Sequence, residues 1–142
     1  MDITMDAADV SADFSANKSA SFGERDFEAV IALVGEYFHG LYQGDDKRLR
    51  AIFHDDAFLK APGLRRSLNK WLDAVNCRPV PAQQGQDFNF KLLSVEIIKD
   101  QAMVKLECPL FEHAYVDYLG LLKEDGRWLI VNKMYTDLQA TL

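Results

Sequence analysis

Residues 113–135 read HAYVDYLGLLKEDGRWLIVNKMY, and this stretch decides the class of fold. Residues alternate with a period of two on both sides of Asp125-Gly126, the signature of two strands around a tight turn. Asp-Gly tolerates the positive φ angles that a two-residue hairpin turn requires. Pairing outward from it puts Leu121 opposite Ile130, Leu119 opposite Asn132 and Asp117 opposite Met134. One face then carries His113, Tyr115, Asp117, Leu119, Leu121, Trp128, Ile130, Asn132 and Met134. The other carries Ala114, Val116, Tyr118, Gly120, Leu122, Leu129, Val131, Lys133 and Tyr135. Both faces are largely apolar, and helices can cover only one face of so small a sheet. The outer face is therefore expected to make a homodimer, because large exposed apolar patches mark interfaces.

Moving upstream, Phe88, Phe90 and Leu92 alternate on even positions and Leu93, Val95 and Ile97 on odd ones. One residue must be absorbed by a bulge or sharp bend, which predicts a strongly curved sheet. A turn at Asp100-Gln101 would set Ile97 against Val104, Val95 against Leu106, Leu93 against Cys108 and Glu96 against Lys105. The preceding run from Cys77 to Asp87, with Pro79, Pro81 and Gly85, reads as a loop.

Before that loop the period is helical. Ser21-Phe22-Gly23-Glu24 has the spacing of a capping box. Phe27, Val30, Ile31, Val34, Tyr37, Phe38, Leu41 and Tyr42 then form one stripe that Gly44 ends. Asp45 or Asp46 caps a short second helix carrying Leu49, Ile52 and Phe53. His54-Asp55-Asp56 turns the chain, Ala57 to Ala61 is a short strand, and Pro62-Gly63 breaks it. Ser67 caps a third helix whose buried face is Leu68, Trp71, Leu72 and Val75, while Arg65, Arg66 and Lys70 stay near solvent or an anionic ligand. Residues 1–21, rich in Ala, Ser and Asp, read as a flexible arm, and 22–142 as a single domain.

Composition narrows the function. The 142 residues hold 16 Lys and Arg against 22 Asp and Glu, a net charge of −6, so no nucleic-acid partner is expected. Cys77 and Cys108 lack metal or disulfide spacing and read as reduced thiols. The first residues lack a basic start and an apolar run, and no apolar stretch spans a bilayer. The expectation is a cytoplasmic protein with no membrane partner.

Two segments resemble a known superfamily. Tyr37-Phe38-His39-Gly40-Leu41-Tyr42-Gln43-Gly44-Asp45 through Phe53-His54-Asp55-Asp56-Ala57, and Lys123-Glu124-Asp125-Gly126-Arg127-Trp128-Leu129-Ile130-Val131-Asn132-Lys133, are similar to the first helix and the closing hairpin of nuclear transport factor 2-like proteins. The Val-Asn-Lys ending looks most like the putative lumazine-binding, SnoaL-like branch, over about residues 24 to 138. This resemblance implies an α+β fold, a cone-shaped half-barrel with three N-terminal helices packed on a strongly bent antiparallel sheet. It also implies a pocket in the mouth of the cone. Steroid isomerases of the superfamily carry a carboxylate before a proline where this chain has Ala61-Pro62. Its scytalone dehydratase-like enzymes use paired histidines where only His113 sits on a strand.

The polar constellation offered to such a pocket is His113, Tyr115 and Asp117 at i, i+2 and i+4, with Asn132 diagonal to Asp117. Same-face neighbours stand about 7 Å apart, so His113 and Asp117 need a ligand between them to work as a pair. Tyr37 and Tyr42, at the edges of the helical stripe, and Trp71 complete the candidate ligand-binding set. His113 and Asp117 are the candidate catalytic residues. His39 falls on the solvent flank, and His54 with its two aspartates lacks the spaced histidines of a metal site. No nucleophile motif, phosphate loop or dinucleotide fingerprint occurs, so no cofactor or metal is expected. Three readings stay open. The first is a pocket for a small apolar or aromatic molecule, the second a cofactor-free dehydratase, isomerase or cyclase, and the third a dimeric interaction scaffold.

Overall fold

The computed structural model describes residues 5–6 and 22–139. The expectation of a flexible arm falls largely outside these residues; within them Met5–Asp6 forms a two-residue strand, β1, paired antiparallel with Leu92 and Lys91. Helix α1 runs Phe22–Gln43 and stops where Gly44 takes a φ of 58°, the left-handed conformation that favours glycine. Its stripe from Val30 to Leu41 is buried, and Phe27 and Tyr42 flank it half-buried. Asp45 caps the short helix α2, Asp46–Arg50, by accepting from the Arg48 N–H at 3.0 Å. Ser67 caps α3, Leu68–Cys77, through the Lys70 N–H, and Leu68, Trp71, Leu72 and Val75 form its buried face.

The remaining strands are β2 (Phe53–Ala61), β3 (Leu64–Ser67), β4 (Lys91–Ile98), β5 (Gln101–Leu110), β6 (His113–Glu124) and β7 (Arg127–Asp137). They form one curved sheet in the order β1-β4-β5-β6-β7-β2-β3, and the helices bury its concave face, as the α+β cone requires. All junctions are antiparallel except β2–β7, which is parallel. No helix among the described residues is long and apolar enough to cross a membrane.

Four details depart from the sequence reading. His54-Asp55-Asp56 does not end an element but lies inside β2. Phe53 pairs with Ile130 and Phe58 with Asn132, five residues of β2 against two of β7, so this segment bows out of the ladder. The Asp56 N–H folds back onto His54 Nδ1 at 3.2 Å. The expected turn chemistry is present but absorbed as a bulge. Leu64–Ser67, with no alternation to betray it, returns as β3 after Gly63 makes the turn at φ 76°.

The β4–β5 turn sits one residue early, at Lys99-Asp100, with Lys99 at φ 52°. The Lys123 N–H of β6 donates to the Asp100 carbonyl at 2.8 Å and holds that turn. Ile97 therefore faces Ala102 and Val95 faces Val104. The shift is two residues, so the same side chains still point inward. The expected bulge is found between Leu92 and Ser94.

The fourth departure decides the site. Leu121 pairs with Ile130 as expected, but Gly120 pairs with Asn132, Leu119 with Lys133 and Asp117 with Tyr135. Val131 is an extra residue, a bulge that reverses the facing of β7 beyond it. Lys133 and Tyr135, not Asn132 and Met134, turn toward the helices. Lys133 is buried and Met134 exposed.

Candidate functional site

Inward alternation on β6 delivers Tyr115 and Asp117, and the reversed end of β7 delivers Lys133 and Tyr135. Cys108 and Leu110 of β5, Trp71 of α3 and Leu41 of α1 close the walls. Arg66 of β3 and Arg78, just beyond α3, complete a cavity of about 70 Å³.

At its base Asp117 is almost fully buried and accepts from the Tyr37 hydroxyl at 2.6 Å. Lys133 Nζ stands 3.8 Å from the same carboxylate oxygen. Carboxylates and amines are rarely buried unless paired, and here each is the other's countercharge. The amine also lies 4.3 Å from the centroid of the Trp71 ring and 5.4 Å from those of Tyr37 and Tyr135, an aromatic cage that favours a cation. Burial pulls Lys133 below the usual lysine range while Asp117 pulls it back up. Burial and the Asp117 charge push the Tyr37 phenol well up, so it stays a hydrogen-bond donor. Burial likewise raises the Cys108 thiol and the Tyr115 phenol, which keeps Cys108 from serving as a thiolate nucleophile.

Of the residues singled out from sequence, Trp71, Tyr115 and Asp117 line this cavity, and Tyr37 stands behind Asp117. The other three lie elsewhere. Tyr42 packs on Phe88 and Phe90 and donates at 2.6 Å to the Gln86 carbonyl. That contact helps fix the 77–87 loop, which Gln86 also ties to Pro109. His113 sits half-exposed at the rim, its Nδ1 2.6 Å from Asp137, and stacks on Tyr115 at 5.2 Å. Burial works against ionised Asp137, but hydrogen bonds from His113, Gln139 and Ala114 together hold it below the usual carboxylate range. Asn132 faces the opposite side of the sheet from Asp117, beside Gly120.

Lys133, Tyr135, Arg66 and Arg78 were not assigned to a pocket by sequence alone, although Arg66 was marked as available to an anion. A lysine flanked by Ile130-Val131 and Tyr135 in a strand with two apolar faces was the only clue to Lys133.

Residues 25–136 match the family described as "Putative lumazine-binding". The chain belongs to this family. Among curated proteins, a putative lumazine-binding chain of this kind is similar to Aldolase FrzH of Cladobotryum sp, 28% identical over 116 residues that cover 78% of this chain and 90% of the relative. Among solved structures it resembles an NTF-2 like protein of unknown function from Silicibacter pomeroyi DSS-3. That structure is 24% identical with a TM-score of 0.67, over 82% of this chain and 99% of that one. An NTF2-like protein from Shewanella baltica OS155 is 16% identical with a TM-score of 0.71, over 86% and 100%. The putative lumazine-binding domain thus stands on the NTF2-like fold.

Proposed function

We propose that the cavity takes a small molecule with a carbonyl group and an apolar or aromatic body, and that Asp117 moves a proton beside that carbonyl while Lys133 stabilises the developing charge in an aldol-type reaction. One observation carries the reading: a carboxylate and an amine lie 3.8 Å apart on the wall of one cavity, the carboxylate pinned by a buried phenol. Asp117 removes the proton α to the carbonyl, and the C–H electron pair becomes an enolate. Lys133 stabilises the charge developing on the enolate oxygen. The enolate carbon then bonds to a second carbonyl carbon, whose oxygen becomes an alkoxide and takes the proton held by Asp117. Run backward, the same steps cleave the bond. Trp71, Tyr115 and Tyr135 form walls for the apolar part. The name of the aldolase relative agrees with this chemistry. His113, tied to Asp137 at the rim, has no role in it.

We also propose a cytoplasmic homodimer joined through the outer sheet face. Phe58, Met103, Tyr118 and Met134 are exposed on neighbouring strands there, which supports a second copy as the cover.

The test is α-proton exchange. Pyruvate and hydroxyacetone are incubated with the protein in D₂O and their α-protons followed by NMR. Exchange above buffer, reduced at least about 100-fold by Asp117→Asn, is expected. Exchange that is absent, or unchanged in the variant, would overturn the reading in favour of a pocket that binds without turnover.

A further inference from the structure

Arg78 has no counterpart in the chemistry just described. Its Nε and Nη2 atoms are buried and have no hydrogen-bond partner among the described residues, although a buried guanidinium normally has its donors filled. Burial holds the group below the usual arginine range, with the nearby charge of Arg66 acting in the same direction. Arg78 lines the cavity with Arg66 and Lys133, three cationic side chains against the single carboxylate of Asp117. This excess sits in a chain whose net charge is −6. A positive cavity in a negative protein focuses the field on anions that reach its mouth.

The geometry selects among anions. Nε and Nη2 share one edge of the guanidinium, where two parallel N–H bonds match the two oxygens of a carboxylate. We infer that Arg78, supported by Arg66, is the receptor for a carboxylate on the ligand, so that the pocket's substrate class is a small organic acid. This rests on the cavity being a ligand site, as proposed above, and adds which end of the ligand goes where. The carboxylate meets Arg78, the apolar body lies along Trp71 and Tyr115, and the reacting carbonyl reaches Lys133 and Asp117.

A probe without α-hydrogens separates this inference from the proposed reaction. Benzoate, benzamide and phenyl phosphate are titrated calorimetrically into the native protein, Arg78→Gln and Arg78→Lys. The native protein is expected to bind benzoate at least about 10-fold tighter than benzamide, the scale of a charge-assisted bidentate contact. Arg78→Gln should erase the preference, and Arg78→Lys, which keeps the charge but loses the fork, should retain part of it. Arg78→Gln relieves an unpaired buried charge, so its melting temperature should hold or rise, and loss of binding cannot then be attributed to unfolding. Equal binding of benzoate and benzamide, no binding of benzoate, a preference that survives in Arg78→Gln, or phenyl phosphate binding 10-fold tighter than benzoate would each overturn the inference. Benzoate selectivity without proton exchange on pyruvate would leave Arg78 assigned and the aldol reading lost.

Discussion

Removing both members of the buried pair should harm the protein less than removing either alone. Unit charges 3.8 Å apart attract by about 4 kcal/mol at an effective dielectric of about 20. Lys133→Met leaves Asp117 with the Tyr37 hydroxyl as its neutral partner and should cost about 3 kcal/mol, the usual penalty for stranding a buried charge. Asp117→Asn strands Lys133 in its aromatic cage at a similar cost of about 3 kcal/mol. In the double variant the side-chain amide introduced at position 117 still accepts from Tyr37 and no charge is left unpaired, so about 2 kcal/mol in total is expected, a coupling of about 4 kcal/mol. Urea unfolding followed by tryptophan fluorescence reads this directly. With a slope of about 2 kcal/mol per molar, each single variant should lower the midpoint by about 1.5 M. A coupling below about 0.5 kcal/mol would mean that the two groups do not act as opposed charges. The electrostatic basis of the proposed enolate chemistry would then be gone.

Three further outcomes test other parts of the structure. Gly40→Ala would place a Cβ 2.7 Å from Cγ and Cδ2 of the fully buried Leu49. Overpacking of about 1–3 kcal/mol should outweigh the helix-propensity gain of about 1 kcal/mol, so a rise in melting temperature would contradict the close α1–α2 approach. Asp26 receives Lys123 Nζ at 2.9 Å and the Trp128 indole N–H at 3.2 Å; the Lys123 bond, opposed by burial and helped by Trp128, holds its carboxyl below the usual carboxylate range. A carboxylate more acidic when folded stabilises the protein above its unfolded pKa and loses that contribution as pH falls through the folded one. Asp26→Asn should therefore cost stability at pH 7 and progressively less below about pH 4, and a constant cost down to pH 2 would refute the ion pair. Native mass spectrometry should give twice the 16.1 kDa of one chain, and Met134→Glu should halve it; a native monomer would remove the proposed interface.

Much of this architecture was legible because local signals agreed. Asp125-Gly126 set the closing hairpin, Gly44 and Ser67 marked helix boundaries, and the parity change at Leu92-Leu93 announced a bulge that is there. The second bulge, at Val131, left no such mark. Val131 lies in a strand whose two faces are both apolar, so a change of parity costs no visible break in pattern. Reading through it as a regular strand turned Asn132 inward and Lys133 outward, the reverse of the fold. Asp117 and Tyr115 were found because β6 alternates without interruption. Arg78 was hidden for another reason: it lies just beyond α3, in a stretch without periodicity, where no sequence pattern encodes which way a side chain points.

The extra residue at Val131 gives the two ends of β7 separate phases. Trp128 and Ile130 belong to the packed end, Lys133 and Tyr135 to the cavity. A lineage carrying this frame can therefore acquire a different set of cavity side chains by gaining or losing one residue near that position, with the helices and the Asp-Gly hairpin intact. Point substitution changes one neighbour of a bound molecule at a time, whereas an insertion or deletion here exchanges several at once. Divergence of activity among relatives of this protein should accordingly track strand length around position 131 at least as closely as it tracks residue identity.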